Sequence, residues 1–461
     1  MSQIIELKWE KSALEIKNVV DSYQIDIPKG FTKNEFNEIK NLLRKKIEKL
    51  LNINLDNKKI YATGHQPDVH HPGILTKDLI LYYLSQKNQA FPIHLVVDTD
   101  YFEFEYFYPI PKGNFAELHL FSAHSHSTFH TEKVEETKRK ELLEILQSQK
   151  KVLDLFLDPE TSNLAKYYLD IYISKIEQGE LLHNINEQVR RDFLFKLGIE
   201  IPCLNVSEIV RLDEFLFFVE KIRSRLNEFI QIHNQALLEY RQKHKIKNHA
   251  QPIPNLKEGE MPFWKYENKE RVSFSSLETP KIIFPRAITL TMFVRIFLCN
   301  FFLHGKGGAR YESVSDQIIQ KFFEIKPSPY EVTTSTLYLK NKNGFLLPKW
   351  DEKELERKLR EIHFSPEKFL PTENELVKEK KNLQVQFQDP TQNKKELHEK
   401  ITLLNQKLEK LVLAEKELLE KEKKDLLYKL KTKQVFETRK YPFFYYNLQE
   451  LIDKIKNIIY K

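Results

Sequence analysis

The chain contains little cysteine and little glycine for its length. Only Cys203 and Cys299 occur among 461 residues, which excludes a disulfide framework and predicts a reducing, cytoplasmic compartment. The N-terminus lacks the pattern of a secretory signal peptide. The eleven glycines form neither a G-x-G-x-x-G fingerprint nor a G-x-x-x-x-G-K-[ST] phosphate loop. A nucleotide site in this chain must therefore rely on other residues.

Charge and apolar runs also exclude some classes of partner. The formal net charge is only +7, and no basic block has interleaved aromatic residues. The most apolar stretch, residues 287–303, is short for a membrane span and carries Arg295 and Asn300 in its interior. It is predicted to be a buried helix of a large core. We therefore expect a small-molecule substrate, and no nucleic-acid or membrane partner.

Residues 62–73 (ATGHQPDVHHPG) hold three of the fifteen histidines and two of the eleven glycines. A strand-like run precedes them, and residues 73–85 have apolar positions at helical spacing, with Pro72 near the first turn. A helix N-terminus after a strand offers unpaired N–H groups and a favourable dipole to an anion. Histidines there add hydrogen-bond donors and a means of proton transfer near neutral pH. The three are His65, His70 and His71.

The next segment completes a strand–helix–strand unit. Residues 91–97 form a continuous apolar run, typical of a strand covered on both faces, and Asp98 and Asp100 follow it. In open α/β sheets, ligands bind outside the carboxyl ends of the strands. The histidines and both carboxylates are therefore predicted to meet at one rim of a parallel sheet. Alternatively, the histidines are surface or capping residues, and Asp98 only ends its strand.

These residues resemble the front half of the bacillithiol-synthesis cysteine-adding enzymes. That family carries a T-G-Q-Q turn, a G-P pair, a lysine in the helix, and a strand ending in E-D-H-D-F-x-E. This chain has Thr-Gly-His-Gln at 63–66, His-Pro-Gly at 71–73, Lys77, and Val-Asp-Thr-Asp-Tyr-Phe-Glu at 97–103. A histidine replaces a glutamine of the turn and the acidic motif is altered, so we interpret the chain as a divergent relative.

The resemblance implies both a fold and an activity. The fold would be α/β, a Rossmann-like parallel sheet core with helical insertions and a C-terminal antiparallel α-helical coiled coil. The core would be similar to class I nucleotidyltransferases and aminoacyl-tRNA synthetases, whose H-x-G-H motif holds ATP phosphates. Residues 70–73 are loosely similar to that motif. The implied enzyme is a ligase that joins an amino acid, with cysteine as the candidate, to a small acceptor. Activation of an acyl group would make ATP or ADP its cofactor, and no metal is predicted.

The resemblance also suggests roles for individual residues. Phosphate or the reacting carboxylate would be held by the first loop, and the amine of the amino acid would be bound or deprotonated by the carboxylates after the second strand. The predicted catalytic residues are His65, Gln66, His70, His71, Asp98 and Asp100.

A second glycine cluster lies at residues 304–311 (HGKGGARY). Three glycines within four residues indicate close backbone approach or positive φ, and free N–H groups beside basic side chains suit phosphate or carboxylate. The alternative is a helix C-cap followed by a tight turn. An enzyme requires that this cluster and the first motif meet in space. The predicted binding residues are Gly64, Gly73, Lys77, Arg286, His304, Gly305, Gly307, Gly308, Arg310 and Asp316.

The predicted organisation has three parts. A core spans residues 1–345, with helical insertions at roughly 131–191 and 205–270. A coiled-coil hairpin spans 346–435 and forms a homodimer, and residues 436–461 pack back on the core. The a and d positions of the hairpin are Leu397, Ile401, Leu404, Leu408 and Leu411.

Two other functions remain open from the sequence. The chain could be a nucleotide-binding scaffold without catalysis, whose coiled coil recruits a partner through Leu404 and Leu408. It could also be a metal-dependent hydrolase built on its histidines. His124 and His126 would share one face of a strand, but zinc needs three or four ligands and no third is evident.

Overall fold

The computed structural model forms two compact units. One comprises Met1–Tyr108, Ala116–Lys340 and Thr438–Lys461, and the other comprises Pro109–Phe115 and Asn341–Glu437. The structure describes residues 2–101, 105–110, 114–119, 128, 136–248, 250–268, 270–339 and 352–461.

Among the described residues, strands occur only before residue 340, whereas helices occur along the whole chain. The strands are β1 (Ser2–Lys8), β2 (Ile60–His65), β3 (Phe91–Val96), β4 (Glu105–Ile110), β5 (Asn114–His119), β6 (Cys203–Asn205), β7 (Phe263–Glu267), β8 (Glu270–Val272), β9 (Ile283–Pro285), β10 (Phe301–Gly305) and β11 (Tyr330–Leu339). The helices are α1 (Ala13–Asp21), α2 (Lys33–Leu51), α3 (Pro72–Asn88), α4 (Glu136–Phe156), α5 (Pro159–Glu177), α6 (Leu182–Lys196), α7 (Val206–Ile209), α8 (Asp213–Arg223), α9 (Leu226–Lys243), α10 (Ala287–Phe293), α11 (Ala309–Ile318), α12 (Glu352–Phe364), α13 (Glu375–Gln388), α14 (Lys394–Leu411), α15 (Leu413–Glu437) and α16 (Gln449–Ile459).

The larger unit is built on a six-stranded sheet with the order β1-β11-β10-β2-β3-β6. Strand β1 pairs antiparallel with β11, and the other five strands are parallel. Numbered among themselves in chain order, the parallel strands lie in the order 3-2-1-4-5, which matches the first five strands of the Rossmann order 3-2-1-4-5-6. The predicted α/β class with a parallel-sheet core is confirmed. The strand order reverses between β2 and β10, which places the topological switch point there.

The start of α3 follows from its local chemistry. His71 has an extended backbone, and its Nδ1 accepts a hydrogen bond from the N–H of Gly73 at 3.1 Å. Pro72 occupies the first helical position, where a missing N–H costs nothing. The helix is buried on nearly all sides and is capped at its C-terminus by Gln89, which has a φ of 54°. Its N-terminus is thereby fixed beside the end of β2.

Residues 287–303 form a helix followed by a strand, so the prediction of one buried helix was wrong. Helix α10 continues through a π-helical turn, Val294–Leu298, before the chain enters β10. Asn300 stabilises the transition from helix to strand by two hydrogen bonds to Ile60. Its side-chain oxygen accepts from the N–H of Ile60 at 2.9 Å, and its own N–H donates to the Ile60 carbonyl at 2.8 Å. Among the described residues, no helix is long and apolar enough to cross a membrane.

The smaller unit is helical. Helix α13 packs against α14, and α12 packs against α15. The regular coiled coil predicted from the leucine spacing is not confirmed, since Leu411 is 53% exposed and the helical arm is interrupted at Val412. Leu404 and Leu408 are buried against Val377 within this unit. They belong to the core of this unit, and partner capture that depends on them stays a prediction.

Candidate functional site

The switch point opens into a cavity of about 650 Å³. Ala62 on β2 pairs with Phe302 on β10, so the loops that follow these strands emerge side by side. Residues of the β2–α3 loop and of the β10–α11 loop both line the cavity. The two clusters that lie far apart in the sequence therefore meet at one place.

The predicted site residues divide into two groups. Four do not line the cavity: His70, Asp98, Arg310 and Asp316. The residues that do line it are Gly64, His65, Gln66, His71, Gly73, Lys77, Asp100, Arg286, His304, Gly305, Gly307 and Gly308.

Close backbone approach explains two of these glycines. A Cβ atom on Gly73 would lie 2.3 Å from the carbonyl oxygen of Ser335, and one on Gly64 would lie 2.8 Å from the carbonyl oxygen of Leu95. Any side chain at these positions would push α3 away from β11, or β2 away from β3. Gly307 differs, because nothing lies within 4 Å of the corresponding position. Close packing therefore requires glycine at positions 64 and 73, but not at position 307.

Lys77 is a buried cation at the junction of α3 and β2. Its Nζ donates a 2.6 Å hydrogen bond to the carbonyl of Gly64, and the residue is 3% exposed. Burial lowers the pKa of Lys77 to about 8. It therefore carries a positive charge at neutral pH that it can lose under mildly alkaline conditions.

The histidines of the first loop are neutral at physiological pH. Burial, reinforced by nearby positive charge, holds the pKa of His65 and of His70 well below the usual range and lowers that of His71 to about 3. The Nδ1 of His65 lies 3.2 Å from the carbonyl oxygen of Gln66, and its ring meets that of His70 edge to face at 4.4 Å. These rings offer hydrogen bonds rather than charge, which corrects the expectation of proton transfer near neutral pH.

Asp100 lines the cavity and contacts Gln66, Tyr101 and Arg271. Its Oδ2 accepts from Nε2 of Gln66 at 2.8 Å, and its Oδ1 accepts from the N–H of Tyr101 at 2.9 Å and lies 2.7 Å from the guanidinium of Arg271. Arg271 also lies 3.8 Å from the ring centre of Tyr101. Among the described residues, Oδ2 of Asp100 accepts a hydrogen bond only from Gln66, so it can still accept another from a substrate amine.

Asp98 has a different role from the one predicted. It is 3% exposed and accepts hydrogen bonds from the backbone N–H of Ser207, at 2.9 Å, and from the Ser207 hydroxyl. These contacts satisfy the N-terminus of α7. Asp98 therefore holds β3 to α7 and does not face the cavity.

The other residues outside the cavity are explained by burial or exposure. Asp316 lies 2.7 Å from the guanidinium of the buried Arg295, with which it forms an ion pair. Arg310 is exposed. His70 is buried behind His65, and neither of its ring nitrogens has a hydrogen-bond partner among the described residues.

His304 is held in the cavity wall by a buried carboxylate. Its Nε2 lies 3.1 Å from Oε2 of Glu312, which also pairs with Arg295. Burial raises the pKa of Glu312, but its contacts with His304 and Arg295 outweigh that effect and keep this pKa below its usual value. A Cβ on Gly308 would lie 2.9 Å from Nδ1 of His304, so glycine lets the loop pass close to this ring.

Several lining residues were not among the predicted site residues. His233, Trp264, Arg271, Lys306 and Arg439 all line the cavity. Most of them reach it from segments remote in the sequence, and no local spacing marks them. The described residues contain no group of three or more His, Cys, Asp or Glu side chains that could hold a metal ion. His124 and His126 lie outside the described residues.

Comparisons with known proteins give little further guidance. No protein-family model and no curated protein matches the chain. One solved structure with some similarity is the tyrosyl-tRNA synthetase of Archaeoglobus fulgidus complexed with L-tyrosine. It is 10% identical, covers 90% of this chain and 99% of that chain, and has a TM-score of 0.28. A TM-score this low supports no statement about the function of this chain. None of these comparisons supports the resemblance to the bacillithiol enzymes.

Proposed function

We propose that this protein is an ATP-using ligase that joins an amino acid, with cysteine as the leading candidate, to a small acceptor. The observation that carries the proposal is the meeting of the β2–α3 and β10–α11 loops on one cavity at the switch point. Ligands of open α/β sheets bind at such a crevice. The volume of about 650 Å³ lies within the usual range for small-molecule sites.

Charge favours phosphate at the sheet end of the cavity. Helices α3 and α11 both begin there, and their first N–H groups and dipoles attract anions. Lys77, Lys306 and Arg439 line the same cavity. Because the histidines of the first loop are neutral, these cations would supply the attraction for a polyphosphate.

The proposed reaction has two steps. The amino-acid carboxylate attacks the α-phosphorus of ATP and pyrophosphate leaves, which gives an acyl adenylate. The neutral amine of the acceptor attacks the acyl carbon, AMP leaves, and the nitrogen gives its surplus proton to water. Lys77 and Arg439 would stabilise charge on the phosphates, and Asp100 would orient the amine by accepting a further hydrogen bond.

The test is amino-acid-dependent exchange of labelled pyrophosphate into ATP. We expect exchange with one amino acid, and its loss in Asp100→Ala and in His71→Asn, a variant that keeps an N-cap but removes the imidazole. His363→Ala, an exposed position in the smaller unit, is the matched control. Unchanged exchange in both site variants would contradict the site assignment, and no exchange with any amino acid would contradict the ligase.

The proposed homodimer has one structural observation in its support. Leucines on the smaller unit are exposed, namely Leu403, Leu411, Leu413 and Leu418. Light scattering should give a dimer mass for the wild type and a monomer mass for a Leu403→Glu/Leu411→Glu variant. A monomeric wild type would contradict the dimer. If these leucines instead capture another protein, and ATP binds without turnover, the non-catalytic scaffold becomes the better account.

A further inference from the structure

The switch-point cavity has two halves of different chemistry. The sheet end carries the lysines, histidines and glycines of the two loops. The other half is largely apolar. It is lined by Ile253, Pro254, Pro262, Trp264, Pro285 and Leu290.

A flat, cationic surface stands in this apolar half. The guanidinium of Arg286 lies 4.0 Å from the ring centre of Trp264, and its Nη2 donates a 2.5 Å hydrogen bond to Oε1 of Glu260. The ion pair and the stacking hold both planes in place. Indole rings and guanidinium planes are surfaces on which nucleobases stack.

A hydrogen-bond acceptor on α9 lines the same cavity. His233 lines the cavity and is 4% exposed, and its Nδ1 lies 3.0 Å from Oδ1 of Asn234. The Asn234 amide is oriented by two contacts with Leu256, since Nδ2 donates to the Leu256 carbonyl at 2.9 Å and Oδ1 accepts from its N–H at 2.9 Å. The oxygen facing His233 can only accept, so the proton of the imidazole is on Nδ1.

The other ring nitrogen of His233 is therefore unprotonated. Burial lowers the pKa of His233 to about 4, so the ring carries one proton at neutral pH. Nε2 then presents a lone pair. His233, Trp264 and Arg286 all line the same cavity.

We propose that the apolar half of the cavity is a subsite for an amino-bearing nucleobase, with adenine as the base. The ring stacks on the Trp264–Arg286 surface, and the exocyclic amine donates to Nε2 of His233. This inference rests on the proposed function, which puts a nucleotide in the cavity, and adds selectivity for the base. Hypoxanthine has a carbonyl in place of that amine. Its oxygen would face the lone pair on Nε2 of His233, and neither atom could donate a hydrogen bond.

The first experiment compares the dissociation constants of ATP and ITP by calorimetry. The wild type should prefer ATP by about tenfold or more, the size expected for losing one hydrogen bond and leaving an acceptor unpaired. His233→Phe keeps an aromatic ring of similar shape and should bring the ratio close to one. His244→Phe, at the exposed end of the same helix, is the control and should keep the preference.

The possible outcomes distinguish failure of the base subsite from failure of the proposed function. Equal affinities for ATP and ITP in the wild type, or a preference that survives His233→Phe, would overturn the base subsite while leaving nucleotide binding intact. Failure of the wild type to bind either nucleotide would contradict the proposed function itself.

A second measurement does not depend on substituting His233. The chain has three tryptophans, so a Trp9→Phe/Trp350→Phe background leaves Trp264 as its only indole. ATP should quench the fluorescence of Trp264, and inorganic tripolyphosphate, which lacks a base, should not. A response to an amino acid but not to ATP would show that this half of the cavity holds a side chain instead, and would overturn the proposal.

Discussion

The side-chain amine of Lys77 donates a 2.6 Å hydrogen bond to the backbone carbonyl of Gly64. The contact joins α3 to the end of β2 at the switch point, where the phosphates are proposed to bind. Burial lowers the pKa of Lys77 to about 8, so its charge is present at neutral pH and disappears in mildly alkaline solution. Phosphate binding should follow that charge.

The affinity for ATP should fall as the pH rises from 7 to 9.5. Lys77 holds its proton below about pH 8 and loses it above, and only the protonated form attracts phosphate. Bound ATP raises the pKa of Lys77, so the loss is centred above pH 8. Calorimetric titrations across this range provide the measurement. Lys77→Met should bind more weakly at pH 7 and show no such dependence; a constant wild-type affinity would rule out this role.

Gly73→Ala should destabilise the protein by about 1–3 kcal/mol, the usual cost of overpacking a close contact. The new methyl group would lie 2.3 Å from the carbonyl oxygen of Ser335 and against the ring of His71. Chemical denaturation measures the free energy of unfolding. Gly307→Ala is the control, because its methyl group meets nothing within 4 Å. Equal stability of the two variants would show that α3 does not need this close approach to β11.

Asp100 and Arg271 should be energetically coupled, because they lie 2.7 Å apart with only 8% of the Arg271 side chain exposed. A double-mutant cycle of Asp100→Ala and Arg271→Ala in unfolding free energy should give a coupling of about 0.5–3 kcal/mol. The exposed pair Glu396–Lys400 should give no more than about 0.5 kcal/mol. Additive effects of the two substitutions would mean that the ion pair between Asp100 and Arg271 does not stabilise this part of the cavity.

Arg190→Leu should cost about 3–5 kcal/mol of stability, since removing one partner leaves buried charge without compensation. Arg190 is 1% exposed and pairs with Asp78 at 3.1 Å and with Glu187 at 2.8 Å. The matched change Arg357→Leu breaks an exposed ion pair and should cost less than about 1 kcal/mol. Thermal or chemical unfolding of both variants measures these costs. A small loss of stability in Arg190→Leu would contradict the view that these ion pairs stabilise α3.

The strand–helix–strand unit from β2 to β3 could be predicted because its determinants are local. Apolar spacing marked the helix, a continuous apolar run marked the second strand, and Pro72 marked the first helical turn. The end of the helix before β10 could not be predicted in this way. It depends on Asn300 bonding Ile60, two residues 240 positions apart.

The candidate site shows the same limit at single residues. Asp98 and Asp100 look equivalent in the sequence, yet Ser207 engages one, while Gln66 and Arg271 engage the other. Burial, which no short pattern reveals, is also what leaves the histidines of the first loop uncharged. His233 comes from a helix with no motif at all, so its place in the cavity could only be seen in the folded chain.

The most direct test of the account is to locate bound nucleotide by photolabelling the wild type with 8-azido-ATP, followed by peptide mass spectrometry. The account predicts adducts that excess ATP suppresses, at residues that line the cavity, within the ranges 64–77, 95–100, 253–294 and 302–311 or at His233, Thr334 or Arg439. Adducts confined to residues 352–437, or none that ATP suppresses, would contradict the assignment of the switch-point cavity as the nucleotide site.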